Sequence, residues 1–135
     1  MFSFLAAHFI AIVVIAVIHM AVGFFWYHPN AFGNLWVEAH GFSRAELTAT
    51  TKDYAAAFGI AFLVSWVMGG VLDYFLIRTI FDAWYVVFWI WLGFVVTTQF
   101  SGVIWAKKPI KAYAIDVGYA FAAFMAMAFA WGIVL

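Results

Sequence analysis

The chain contains no cysteine, and only 9% of its 135 residues are charged, six basic and six acidic. Without thiols there is neither a disulfide nor a thiolate ligand, so a metal could be held only by the four histidines and six carboxylates. An ordinary soluble domain carries about 25% charged residues, and a water-facing surface cannot be assembled from so few. The formal net charge of zero gives no footing for nucleic acid or for a polybasic grip on anionic lipid. Also missing are a paired-histidine metalloprotease helix, a nucleophile elbow, a haem-attachment motif and a basic leader ahead of the first apolar run. No catalysis is expected.

What is abundant is hydrocarbon: 70% of residues are hydrophobic and 23% aromatic. Four apolar runs, at 3–27, 54–77, 83–106 and 111–135, each reach the roughly 20 residues a helix needs to cross a ~30 Å hydrocarbon core. Proline has no amide proton and disfavours helix in the residue before it, so His28-Pro29-Asn30 ends the first run and Lys107-Lys108-Pro109 the third. The runs lack the alternation of barrel strands, and lipid-facing backbone must be satisfied internally. The predicted fold is therefore all-α: an integral membrane four-helix bundle, one transmembrane domain over 1–135.

Between the first two spans, Phe32, Leu35, Trp36 and Ala39 recur at helical spacing, which predicts a short amphipathic helix in the membrane interface, closed near Gly41. Ser43-Arg44-Ala45-Glu46 reads as a capping box. Arg44, Lys52, Lys107, Lys108 and Lys111 fall on one side and Arg78 on the other. The positive-inside bias then puts both termini outside and loops 1–2 and 3–4 in the cytoplasm. The link from Arg78 to Asp82 is so short that spans two and three should pair as an antiparallel hairpin, with these two residues as an exposed ion pair. Trp26, Tyr27, Trp36 and Trp105 fall near one headgroup layer, as an aromatic belt or as a ligand platform.

Small residues recur every four positions in span two (Ala57, Ala61, Ser65, Gly69, then Asp73), in span three (Gly93, Thr97, Ser101) and in span four (Gly118, Ala122, Ala126, Ala130). Such ladders let helix backbones approach closely in lipid, within one chain or between copies.

Five polar residues fall inside the spans: His8, His19, Asp73, Gln99 and Asp116. An aspartate at a helix centre costs around 2.5 to 3.5 kcal/mol on insertion scales, so these residues should turn toward protein or water. Depth sorts them into two levels, His8 with Asp73 outside, and His19 with Gln99, Thr97 or Thr98 and Asp116 inside. Each level reads as a structural hydrogen-bond pair, as part of a proton or ion relay, or, through His8 or His19, as a ligand to haem or a chlorophyll-type pigment.

The run from Gly23 to Trp36 (GFFWYHPNAFGNLW) followed by Gly41, the stretch WLGFVVTT from Trp91 to Thr98, and Ile115-Asp116-Val117-Gly118-Tyr119 together resemble the bacterial membrane family catalogued as domain of unknown function 1761. The resemblance implies a small four-helix membrane protein and assigns no activity. Trp26, Tyr27, Pro29, Gly33, Trp36, Gly93, Asp116 and Tyr119 coincide with its pattern, whereas His8, His19 and Asp73 do not. The expected role is a non-enzymatic accessory or structural subunit of the bacterial inner membrane, meeting lipids, copies of itself or other transmembrane subunits. The alternatives are a small oligomeric transporter or channel with a His/Asp/Gln pathway, and a pigment-binding accessory protein. No cofactor is expected on the leading reading.

Overall fold

The computed structural model describes residues 1–135, and all its regular structure is helical, without strands. Helix α1 spans Phe2–Trp26, α2 Asn34–His40, α3 Thr51–Tyr74, α4 Ile80–Ile90, α5 Thr97–Trp105 and α6 Ile110–Val134. A π-helical segment, Trp91–Val96, joins α4 to α5 into one span, Ile80–Trp105. That span, α1, α3 and α6 are each long and apolar enough to cross a membrane. The observed limits lie within three residues of those read from the apolar runs. Helix α3 begins earlier than expected because Thr50 and Asp53 form a capping box, with the Asp53 amide bonded to the threonine side chain and the carboxylate returning to the Thr50 amide at 2.7 Å.

The short interfacial helix is present as α2. A π-helical turn, Pro29–Gly33, leads into it, and Gly41 closes it at φ 71°, the left-handed conformation that suits glycine after a helix end. The capping box at Ser43 and Glu46 starts a 3₁₀ turn, Arg44–Leu47.

The long helices lie in the order α3, α1, α6, α4. Helix α1 packs against both α3 and α6, and α4 covers the far side of α6. The expected pairing of spans two and three is therefore corrected. Their five-residue link joins helix ends, but α3 packs on α1 and α4 on α6 rather than on each other, and the space where they would meet is an open apolar groove of about 400 Å³ flanked by Val64, Val67, Ile90 and Val95. A short link fixes direction, and it is side-chain packing that selects the neighbour.

Close approach is built where the ladder foretold it in span two, whereas Gly118, Ala122, Ala126 and Ala130 of span four are only half-buried. Ala61, Ser65 and Gly69 are buried. A Cβ at Gly69 would stand 2.4 Å from the Trp131 ring, and one at Gly118 3.0 Å from that of Trp26. The ladder of span three behaves differently: Gly93, Thr97 and Ser101 are exposed, and a Cβ at Gly93 would meet nothing within 4 Å. Around the core, Ile12, Ile15, Leu72, Val87, Met127 and Trp131 are at most 2% exposed. The Ser65 hydroxyl and the Trp131 indole N–H are buried there without a hydrogen-bond partner.

In a π-helical segment the usual backbone ladder is disturbed, and here side chains supply donors to nearby carbonyls. Thr97 Oγ1 donates to the Gly93 carbonyl at 2.6 Å, Thr98 Oγ1 donates to that of Phe94, and Tyr113 on α6 donates to that of Val96 at 3.0 Å.

Candidate functional site: a carboxylate-centred cap

At the end of the bundle that carries α2, three separate parts of the chain converge on Asp116 of α6. The Tyr27 hydroxyl, just past α1, donates to Oδ1 at 2.5 Å. The Trp36 indole N–H, on α2, donates to the same oxygen at 2.8 Å. Lys108, in the loop before α6, forms an ion pair with Oδ2 at 2.5 Å. Both carboxylate oxygens are thus engaged, and the side chain is only 18% exposed. One residue earlier, the Ile115 carbonyl accepts from the Trp26 indole at 3.0 Å.

Local sequence explains how the donors arrive. Tyr27 follows the last turn of α1, and the turn from Pro29 to Gly33 folds the chain back so that α2 lies against α6. Gly33 makes that reversal possible, since a Cβ there would stand 2.1 Å from the Tyr27 carbonyl oxygen. Trp36 then points at Asp116 while its ring meets that of Tyr27 edge-on at 5.9 Å. Because Trp36 and Lys108 reach the same carboxylate, loops 1–2 and 3–4 share one end of the bundle.

The interior extends one turn deeper. Tyr119, three residues after Asp116, places its hydroxyl 3.3 Å from His19 Nδ1 and 3.4 Å from Nε2, and its ring meets Tyr27 edge-on at 5.2 Å. His19 is buried. Of the expected inner level of His19 with Gln99, Thr97 or Thr98 and Asp116, the histidine and the carboxylate are joined through Tyr119 and Tyr27 rather than bonded to each other. Gln99 is half-buried on α5 and bonded to none of them, and the two threonines turn to their own helix backbone.

At the opposite end, His8 and Asp73 line one open cleft of about 640 Å³ without bonding to each other. His8, at a kink in α1, donates from Nδ1 to the Phe4 carbonyl at 3.3 Å and stacks on the Phe4 ring. Asp73 pairs with Arg78 at 3.0 Å. The expected Arg78–Asp82 pair is thereby corrected: Asp82 accepts from the Thr79 hydroxyl at 2.6 Å, and Thr79 caps the start of α4 by accepting from the Asp82 amide at 3.1 Å. No group of three or more His, Cys, Asp or Glu side chains stands close enough to hold a metal ion.

The aromatic belt also needs revision. Trp105 is 83% exposed, as a belt residue should be. Trp26, Tyr27 and Trp36 instead spend their donors inside the protein, and Trp84 and Trp91 do likewise, giving their N–H groups to the Met125 and Val117 carbonyls of α6.

Fold and site together define a class: a small all-α bundle with four helices fit to cross a membrane, tied at one end by a polar cap around a single carboxylate. Residues 10–132, which include the whole cap, match the family described as protein of unknown function (DUF1761), and the chain belongs to it. Neither the curated proteins nor the solved structures contain a match.

Proposed function

We propose that the protein is a non-enzymatic membrane subunit that docks laterally, through the span Ile80–Trp105, against a transmembrane helix of another copy or of a larger complex. The observation that carries this reading is the bareness of that span. Only Ala83 and Val87 are buried along it, and the small-residue face Gly93-Thr97-Ser101 has no partner helix. In lipid, where apolar burial gives no drive, helices associate through such faces. Trp89 and Phe94 stay exposed nearby.

The cap favours a structural over a catalytic role, because Asp116 is surrounded by donors that already satisfy it and leave no base free. Transport has weaker support for a related reason. Ile12, Ile15 and Ala16, at most 2% exposed, fill the length of α1 between His8 and His19, so the two polar ends have no continuous path along that helix. On this reading the end bearing α2 faces the cytoplasm across a bacterial inner membrane, following its excess of lysine and arginine.

The test is mass measurement in lipid nanodiscs together with mild purification from the native membrane. An oligomer or a stable membrane-protein partner, lost in Gly93→Leu, is expected. A monomer without partners in both preparations would overturn the proposal.

A further inference from the structure

Two hollows meet beneath the loop that holds α2, and both are walled by Tyr27 and Tyr54. The first, about 550 Å³, lies under α2 and includes Arg44 and no carboxylate. The second, about 690 Å³, is a mostly apolar trough between α1 and α3 that runs inward along α1 as far as Val17. From Phe25 to Val17 the helix rises about 12 Å at 1.5 Å per residue, close to the ~15 Å depth of hydrocarbon in one leaflet.

Arg44 is a cation without a counter-charge. Its guanidinium donates to the neutral Asn34 side chain, and the two ion pairs of the protein involve other residues. The nearby Glu46 carboxylate is turned away to the Ser43 amide at 2.8 Å. A guanidinium presents five donors in a rigid fork, which suits a phosphate.

We propose that these joined hollows form a binding site for one anionic phospholipid, its phosphate at Arg44 and one acyl chain in the trough between α1 and α3. The complementarity is positional: Arg44, the one arginine or lysine lining these hollows, stands at the head of a trough of leaflet depth, with the phenol of Tyr54 at the junction. A zwitterionic lipid fits the same trough but brings its own cation toward Arg44.

Native mass spectrometry of the detergent-purified full chain, titrated with dioleoyl phosphatidylglycerol or dioleoyl phosphatidylcholine, tests this. The expected result is a preference for phosphatidylglycerol of roughly three- to tenfold, the size of one charge-assisted contact. Arg44→Gln should abolish the preference, and Arg44→Lys should keep most of it. Ala57→Trp fills the trough from α3 and should weaken both lipids, and Ala21→Trp repeats that readout from the α1 wall. Equal binding of the two lipids to the parent, a preference that survives in Arg44→Gln, or undiminished binding in both tryptophan variants would each overturn the site.

Discussion

The α-carbon of Gly33 lies so close to the carbonyl oxygen of Tyr27 that a Cβ built on it would sit 2.1 Å away. The atom in the way is backbone, which cannot swing aside as a side chain does. Tyr27 and the helix that follows Gly33 also deliver both neutral donors to Asp116. The geometry of one turn therefore governs the whole cap.

Gly33→Ala should displace α2 and lower stability by about 1 to 3 kcal/mol, the usual cost of forcing a methyl group into filled space. Unfolding in mixed micelles would measure the loss, and fluorescence of Trp36 would report the displacement. Unchanged stability together with unchanged fluorescence would refute the role given to this turn.

Truncating Asp116 strands the Tyr27 hydroxyl, the Trp36 indole N–H and the Lys108 ammonium at once. Asp116→Ala should therefore cost about 2 to 4 kcal/mol. Asp116→Asn retains an acceptor and should cost about half as much, and Lys108→Met, which removes a partner 27% exposed, only about 1 kcal/mol. A Lys108 variant as damaging as Asp116→Ala would contradict this ranking.

Gly69→Ala should destabilise the contact of α3 with Trp131 by about 1 to 3 kcal/mol, since its methyl would come within 2.4 Å of the indole. Trp131→Phe removes those indole atoms along with an unpaired N–H. The double variant should recover part of the Gly69→Ala loss, and strict additivity in a double-mutant cycle would show that the two residues do not meet.

In the loop, the Ser43 backbone amide, helped by the serine side chain, holds the Glu46 carboxyl below its ordinary value of 4.5. A carboxyl depressed in the folded state supports the turn above that value, and the support is lost as pH falls through the lower folded value. The Ser43 amide resonance should accordingly titrate with a midpoint under 4.5 and cease to titrate in Glu46→Gln. A midpoint at or above 4.5 would count against the cap.

Gly93→Leu separates packing within the chain from packing between chains. Nothing lies within 4 Å of a Cβ at that position, so the monomer should keep its thermal stability to within about 0.5 kcal/mol, as an exposed substitution does. Lateral association should fall. A drop in monomer stability instead would mean that Gly93 packs inside the bundle.

The number of spans and their approximate limits were legible because bilayer thickness sets an apolar length that side chains must match. The ladder Ala61-Ser65-Gly69 also foretold a close approach, although not that Trp131 would fill it. Neighbour choice was hidden: a short link between α3 and α4 says nothing of whether they pack on each other or on α1 and α6. The cap was hidden for another reason. Tyr27 and Trp36 lie 89 and 80 residues from Asp116, and an indole or phenol in an interfacial segment suits an outward belt as well as an inward bond. The gathering of Trp26, Tyr27, Trp36, Asp116 and Tyr119 in one resemblance pattern was the available signal, because they prove to share one place.

Helix α6 touches α1, α2, α3, α4 and α5, and α4 has no other long neighbour. During synthesis the span that includes α4 and α5 is made before α6, the one long helix it packs against, so until then it has no long partner. Assembly then concludes in one late event: arrival of α6 gives α4 its partner, receives the indole donors of Trp84 and Trp91, and brings Asp116 to Tyr27 and Trp36. A nascent chain halted before Ile110 would be inserted yet unsettled, and quality-control proteases should recognise it as unfinished.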